Sequence, residues 1–113
     1  MATTSLLAGE RPLARPPAGN YLAVPAGDQI RLCALGAAVT TIGRRTGASL
    51  FLDDATVSPH HAVVVRRGSR SVVLDDRSLN GVLVNGRRVD EAVLQDGDVI
   101  ALGRVRLRYV EFE

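Results

Sequence analysis

Short apolar runs dominate the sequence from position 20 onwards. Valine, leucine and isoleucine fill these runs, and glycine, asparagine or aspartate interrupts them every eight to twelve residues. The last run is the clearest, because Arg104, Arg106 and Arg108 alternate with apolar residues in a strict period of two. This period gives a strand one apolar face, and no helix could segregate the residues in this way. The pattern therefore predicts an all-β sandwich.

The apolar runs give nine predicted strands, and glycine or asparagine marks the turns between them. The predicted strands span residues 21–24, 29–35, 39–42, 50–52, 62–66, 71–75, 82–84, 99–102 and 104–109. Turns are predicted at 67–69, 80–81, 85–86 and 96–98, where glycine or asparagine tolerates a positive φ. Residues 1–19 hold three of the five prolines and lack apolar periodicity. They are predicted to be a flexible arm, and residues 20–113 the folded domain.

Composition excludes several kinds of chemistry. With 113 residues, 46% of them apolar, the chain is expected to form one domain. Cys33 is the only cysteine, which excludes a disulfide framework and a cysteine-rich zinc site. All 14 basic residues are arginine, so the chain has no P-loop or Schiff-base lysine. The sequence offers neither a membrane-spanning apolar stretch nor a signal peptide, and we expect a cytoplasmic location without membrane insertion.

Polar residues that suit an anionic ligand are concentrated in three loops. Gly43-Arg44-Arg45 follows one predicted strand, the segment 53–61 precedes another, and the segment 76–86 comes later in the chain. Loops at one end of a sandwich converge in space. An arginine fork, a serine hydroxyl and an asparagine amide together supply several donors, which suits a phosphate. We therefore expect one shared anion-binding patch.

The motifs in these loops resemble those of forkhead-associated (FHA) domains. The ordered set is Gly43-Arg44, then Ser58-x-x-His61, then Asn80-Gly81 and Asn85-Gly86. The surrounding residues are similar as well, from the Leu-Phe-Leu-Asp-Asp run at 50–54 to the Gly-Asp-x-Ile-x-Leu-Gly run at 97–103. The resemblance covers about residues 20–112, which is nearly the whole predicted folded part.

The resemblance implies an eleven-stranded SMAD/FHA-like β-sandwich, with antiparallel or mixed sheets, whose loops at one end bind phosphothreonine peptides. It assigns phosphate contacts to Arg44 and Ser58, and contact with the peptide main chain to Asn80. The positions that shape or brace the site are Gly43, His61, Gly81 and Asn85. The implied role is a non-enzymatic adaptor in a bacterial Ser/Thr kinase pathway. Its partner would be a phosphothreonine-containing protein, with a kinase upstream and with no metal or cofactor.

Three positions depart from the family pattern. Pro59 stands where arginine or asparagine is frequent, so a side-chain donor is missing and the loop is stiffer. Leu79 occupies a peptide-binding position where many members have a threonine or serine that also contacts phosphate, and Val82 replaces a common threonine. The departures affect affinity and partner choice rather than the fold. Arg44 and Ser58 must then carry more of the binding, with Arg45 as a candidate assisting donor.

A catalytic function and a metal-binding function would use the same residues. Ser58, His61 and Asp75 or Asp76 match a hydrolase triad by composition, but no Gly-x-Ser-x-Gly elbow accompanies them. His60 and His61 are adjacent at the start of a predicted strand, so they point to opposite faces and chelate a metal poorly.

Three binding functions stay open besides recognition of a phosphothreonine partner. A divergent FHA-like domain that assembles through its sheet, independently of phosphate, is the main alternative function. Binding of nucleic acid or acidic lipid by the stripe of Arg104, Arg106 and Arg108 is a minor alternative. The net charge of +2 is too small to favour nucleic acid. Finally, a phosphorylated Thr3 or Thr4 on the arm has a tether long enough to reach the chain's own site.

Overall fold

The computed structural model describes residues 16–113, and within them the chain forms eleven strands and no helix. The strands are β1 (Gly19–Ala26), β2 (Gln29–Ala34), β3 (Val39–Gly43), β4 (Leu50–Phe51), β5 (Ala62–Arg67), β6 (Arg70–Asp75), β7 (Val82–Val84), β8 (Arg87–Val89), β9 (Glu91–Val93), β10 (Val99–Leu102) and β11 (Val105–Phe112). No helix capable of crossing a bilayer occurs in this range. Thr3 and Thr4, and with them residues 1–15 of the predicted arm, lie outside the described residues.

The strands pair into two sheets, which confirms the predicted β-sandwich. One sheet has six strands in the order β2-β1-β11-β10-β7-β8, and the other has five in the order β4-β3-β5-β6-β9. The pairings are antiparallel except for β3 with β4, which run parallel with Ile42 opposite Leu50. One sheet is therefore antiparallel and the other mixed.

Apolar side chains at alternate positions along the strands fill the core between the two sheets. In β11, Leu107 and Tyr109 are fully buried, whereas Arg106 and Arg108 face outwards and are exposed. Each fully buried apolar side chain of this size contributes roughly 1.5–3 kcal/mol. The Tyr109 hydroxyl donates to the Glu111 carboxylate at 2.9 Å and lies 3.2 Å from the Ser71 hydroxyl. Burial raises the pKa of Tyr109, which keeps the phenol a neutral donor in the core.

Two short strands, β8 and β9, are missing from the sequence-based prediction. Each lies at an edge of its sheet, and the sequence across them, Arg-Arg-Val-Asp-Glu-Ala-Val at 87–93, shows no apolar alternation. Charged residues on an edge strand discourage its pairing with strands of other chains. The same charged residues interrupt the apolar alternation from which a strand is predicted. Elsewhere the bounds differ by a few residues, since β1 begins at Gly19 and β11 continues to Phe112.

Candidate functional site

The candidate site begins where β3 ends, at Gly43 and Arg44. The Arg44 N–H donates to the Ser58 carbonyl at 2.9 Å, and the Leu52 N–H donates to the Gly43 carbonyl at 3.0 Å. A Cβ at Gly43 would lie 1.9 Å from the Pro59 carbonyl oxygen. Glycine is therefore needed here because two backbones approach too closely for any side chain.

We expect Gly43→Ala to lower the free energy of unfolding by about 1–3 kcal/mol, because the added methyl group must displace the Pro59 backbone. Urea denaturation measures this difference. Gly36→Ala is the matched control, since no atom lies within 4 Å of a Cβ there. The control is expected to be neutral or slightly stabilising. Equal stability of the two variants would contradict the close approach at Gly43.

His61 lies beneath the site and joins two of its loops. Its side chain is fully buried. The Ser58 N–H donates to Nδ1 at 3.0 Å, and Nε2 lies 2.8 Å from the Gly81 carbonyl oxygen. Because Nδ1 accepts, the proton is on Nε2, which donates to that carbonyl. The imidazole thus ties the loop before β5 to the loop before β7.

These contacts do not match a Ser-His-Asp triad. Both ring nitrogens of His61 are engaged by backbone groups, so neither can accept the Ser58 proton. The Asp75 carboxylate accepts from the Ser78 N–H at 2.9 Å rather than from a histidine. His60 lies 3.8 Å from Asp76 on the surface. Across residues 16–113, no three His, Cys, Asp or Glu side chains are grouped to hold a metal ion.

The Ser58 hydroxyl connects the loops at the surface. Its Oγ accepts from the Leu79 N–H at 3.0 Å. No acceptor for the Ser58 hydroxyl proton is found within the described part of the chain, so this proton is free to donate to a ligand. Leu79 itself is 86% exposed, so its side chain lies at the surface beside the Ser58 hydroxyl.

Asn80 is positioned by Thr56. The Asn80 Nδ2 donates to the Thr56 carbonyl at 2.8 Å, and the Thr56 hydroxyl oxygen accepts from the Arg104 N–H at 2.8 Å. A Cβ at Gly103 would lie 2.4 Å from the Thr56 carbonyl oxygen, so that glycine permits the contact. The turn between β10 and β11 therefore supports the asparagine through Thr56.

Thr56 is also bound to Asp54, which completes this support. The Asp54 carboxylate accepts from the Thr56 N–H at 2.8 Å and from the Thr56 hydroxyl. These hydrogen bonds hold the pKa of the Asp54 carboxyl below its ordinary value, so the group stays ionised. The sequence motifs assign no role to either residue, although an Asp-x-Thr spacing is typical of such a side-chain turn.

Gly81 accommodates a neighbouring arginine. Its φ is +82°, and a Cβ there would lie 2.8 Å from Cζ of Arg88. The Gly81 N–H donates to the Ser78 hydroxyl oxygen at 2.8 Å. The Arg88 guanidinium therefore packs on the backbone beside Asn80. The sequence does not predict this contact, because it does not predict β8 itself.

Together these loops enclose a groove of about 280 Å³. It is lined by Arg44, Ala55, Thr56, Val57, Ser58, Pro59, Leu79 and Asn80. Arg44 is the one charged side chain among these lining residues. Its Nε lies 3.8 Å from Asp53 Oδ1, and the two side chains are 47% and 79% exposed. An exposed ion pair this long contributes little, so the guanidinium is available to a ligand.

Two of the predicted site residues lie neither in the groove nor directly behind it. The Arg45 side chain turns back on its own loop, where Nη1 would lie 2.9 Å from a Cβ at Gly47. Asn85 instead braces the turn before β10, because its Oδ1 accepts from the Val99 N–H at 2.9 Å and its Nδ2 donates to Asp98 at 3.0 Å. The structure thus brings Arg44, Ser58, Leu79 and Asn80 together, with Gly43, His61 and Gly81 directly behind them.

Comparisons with known proteins match the same loops. The family model of the FHA domain matches residues 40–103, a range that contains the four groove residues just named. The glycogen accumulation regulator GarA of Mycobacterium tuberculosis is 42% identical over 76 residues, which are 67% of this chain and 47% of GarA. The chain therefore spans about half the length of this relative.

Solved structures show the same architecture. Mycobacterium tuberculosis EmbR in complex with a low affinity phosphopeptide has a TM-score of 0.74 and 35% identity, covering 92% of this chain and 26% of that one. A structure solved for an analysis of phosphothreonine-dependent FHA domain interactions has a TM-score of 0.77 and 32% identity, covering 83% of this chain and 97% of that one.

Proposed function

The chain belongs to the FHA domain family, and from this membership we propose that its groove binds phosphothreonine in partner proteins. The observation that carries the proposal is the placement of the Arg44 guanidinium and the Ser58 hydroxyl in one groove. A phosphothreonine carries about −1.5 to −2 charge near neutral pH and three strong acceptor oxygens. The permanently charged Arg44 guanidinium and the free Ser58 hydroxyl proton supply hydrogen-bond donors that match those oxygens.

The remaining lining residues support the threonine and its main chain. Ala55, Val57 and Pro59 give the groove apolar surface on which a threonine methyl group can pack. Asn80 uses one N–H on Thr56, which leaves its second N–H and its carbonyl oxygen for the peptide backbone. Asn80 would therefore fix the peptide's register without reading a side chain.

Leu79 changes what the site can recognise. Where many family members offer a hydroxyl, this chain presents an apolar side chain that is 86% exposed beside the groove. The phosphate therefore loses one donor, and an apolar peptide residue gains a surface to pack against. We propose that the chain prefers peptides with an apolar residue close to the phosphothreonine.

The direct test is a degenerate peptide library with a fixed phosphothreonine, passed over the immobilised domain. Phosphothreonine peptides should be retained, with apolar residues enriched at one flanking position. The same library with unmodified threonine should not be retained. Equal retention of both libraries would reject the proposal and favour the alternative of phosphate-independent assembly.

We expect Ser58→Ala to weaken the binding of a selected phosphopeptide by about 12- to 30-fold, since one hydrogen bond to a charged oxygen is worth roughly 1.5–2 kcal/mol. Ser69→Ala, on the exposed turn between β5 and β6, is the control and should bind like the parent chain. Fluorescence anisotropy with labelled peptide measures both. If Ser58→Ala binds the peptide with unchanged affinity and its thermal unfolding shows an intact fold, the Ser58 hydroxyl is not part of the proposed site.

The wider role follows from this chemistry. FHA domains are binding modules, and we propose that this one acts without catalysis or cofactor, as an adaptor that reads the product of a Ser/Thr kinase. Such a kinase draws its phosphate from ATP, which is why we also propose a cytoplasmic location.

A further inference from the structure

A second concave surface lies on the outer face of the six-stranded sheet, away from the loops. Its floor is β1, and its walls are the neighbouring strands β2 and β11. The register sets Leu32 of β2 and Arg108 of β11 on either side of Ala23, and Ile30 opposite Pro25. We call this surface the sheet valley. It is lined by Ala23, Pro25, Ile30, Val99, Arg106, Leu107 and Arg108, and Leu32 lies beside it, opposite Ala23.

The valley is exposed and largely apolar. Ile30 is 73% exposed and Leu32 is 41% exposed, although both belong to a regular strand. Small side chains on β1 leave a depression of about 310 Å³ between the walls. A contiguous exposed apolar surface with a polar border is typical of an interaction site.

The exposed apolar side chains suit one kind of occupant. A helix packs on a sheet by resting one apolar stripe on the side chains that the strands present. An amphipathic helix lying along β1 would rest that stripe on Ala23, Pro25 and Ile30, with its polar flank over β11. An extended peptide would instead be expected to pair with the free edge of β2.

The charged side chains of the valley indicate which residues such a helix would carry. The carboxylates found within 4.0 Å of a basic group in residues 16–113 are paired with Arg44, His60 and Arg67, which leaves Arg106 and Arg108 without a carboxylate partner on the valley wall. Residues two positions apart along a strand, such as Arg106 and Arg108, are about 6.7 Å apart. Residues at i and i+4 of a helix are about 6 Å apart along its axis. Two acidic residues at that spacing would meet the two guanidinium groups together.

We propose that the sheet valley docks one amphipathic helix of a partner protein, with leucine-like residues on Ile30, Leu32 and Ala23 and acidic residues at i and i+4 on Arg106 and Arg108. A protein partner fits better than nucleic acid, because the valley is apolar, has two cations and has no aromatic side chain on which a base could stack. This docking does not depend on the phosphothreonine groove.

The test uses ¹⁵N-labelled domain and a designed helical peptide of about five turns. The peptide carries a leucine stripe flanked on one side by glutamates at i and i+4; a control peptide carries lysine in place of glutamate. We expect saturable shifts of the Ala23, Ile30, Leu32 and Val99 amides with the glutamate peptide and none with the lysine peptide. No shift of these amides at millimolar glutamate peptide, or equal shifts with both peptides, would overturn the proposal.

Charge reversal completes the test. The double variant Arg106→Glu, Arg108→Glu should weaken glutamate-peptide binding at least about tenfold. The matched double variant Arg70→Glu, Arg87→Glu, at the exposed starts of β6 and β8, should retain it. Both double variants should still bind the selected phosphothreonine peptide. If a DNA duplex or anionic vesicles shift the valley amides and the glutamate peptide does not, the surface is a polyanion site and the proposal is wrong.

Discussion

Arg44→Ala is expected to weaken phosphothreonine-peptide binding by about 30- to 150-fold, the largest loss of any single substitution in the groove. Arg44 is the one charged residue that lines the groove, and the one carboxylate within 4.0 Å of it in residues 16–113 is the exposed Asp53, at 3.8 Å. Removing its charge-assisted bonds to a phosphate costs about 2–3 kcal/mol, which corresponds to that loss. Fluorescence anisotropy with a peptide selected from the library gives the dissociation constant.

The neighbouring arginine provides a matched control. Arg45 has the same charge and lies one position away, but its side chain turns towards Gly47 and does not line the groove. Arg45→Ala should therefore change the affinity less than about threefold. If Arg45→Ala weakens binding as much as Arg44→Ala, the two arginines act together, and the groove is incomplete without Arg45.

His61→Ala is expected to lower the free energy of unfolding by about 3–5 kcal/mol. The substitution removes a fully buried ring and leaves the Ser58 N–H and the Gly81 carbonyl without their partner. A cavity of this size and two unsatisfied backbone groups together account for a loss of that order. Phosphopeptide affinity should fall as well, because the loops that carry Ser58 and Asn80 lose their common support. Urea denaturation followed by peptide titration measures both quantities.

His60 serves as the control for this second prediction. It precedes His61 directly but is exposed, and within residues 16–113 Asp76, at 3.8 Å, is the one carboxylate within 4.0 Å of its ring. His60→Ala should cost less than about 0.5 kcal/mol. A His61→Ala variant that loses less than about 1 kcal/mol would show that the loops are held together by other contacts.

Much of this site could be predicted from the sequence, because its residues lie in loops next to the ends of predicted strands. Alternation in β11 and the glycine-rich turns predict a sandwich, and in a sandwich the loops after β3, before β5 and after β6 can meet at one end. The structure does bring Arg44, Ser58 and Asn80 to one groove. The resemblance to FHA domains also indicates His61 as a brace, since His61 matches the histidine of the family's Ser-x-x-His motif.

The parts that the sequence does not predict depend on contacts between distant segments. Nothing in the residue types separates Arg44 from Arg45; the direction of each side chain is set by the backbone as it leaves β3. Thr56 supports Asn80 through a contact with the turn at Gly103, which lies 47 residues further along the chain, and such a close approach has no local pattern. The edge strands β8 and β9 are short and charged, so their pairing with β7 and β6 decides their conformation.

The most direct test of the central claim is the NMR resonance of the Arg44 side-chain Nε–H during titration with one peptide in two forms. With the phosphothreonine form, we expect the Arg44 resonance to shift and saturate together with the Ser58 and Asn80 amides, while the Arg106 and Arg108 side chains stay unchanged. With unmodified threonine, none of these resonances should move. If the phosphorylated peptide binds but leaves the Arg44 resonance unmoved, the phosphate is held elsewhere and the account of the groove is wrong.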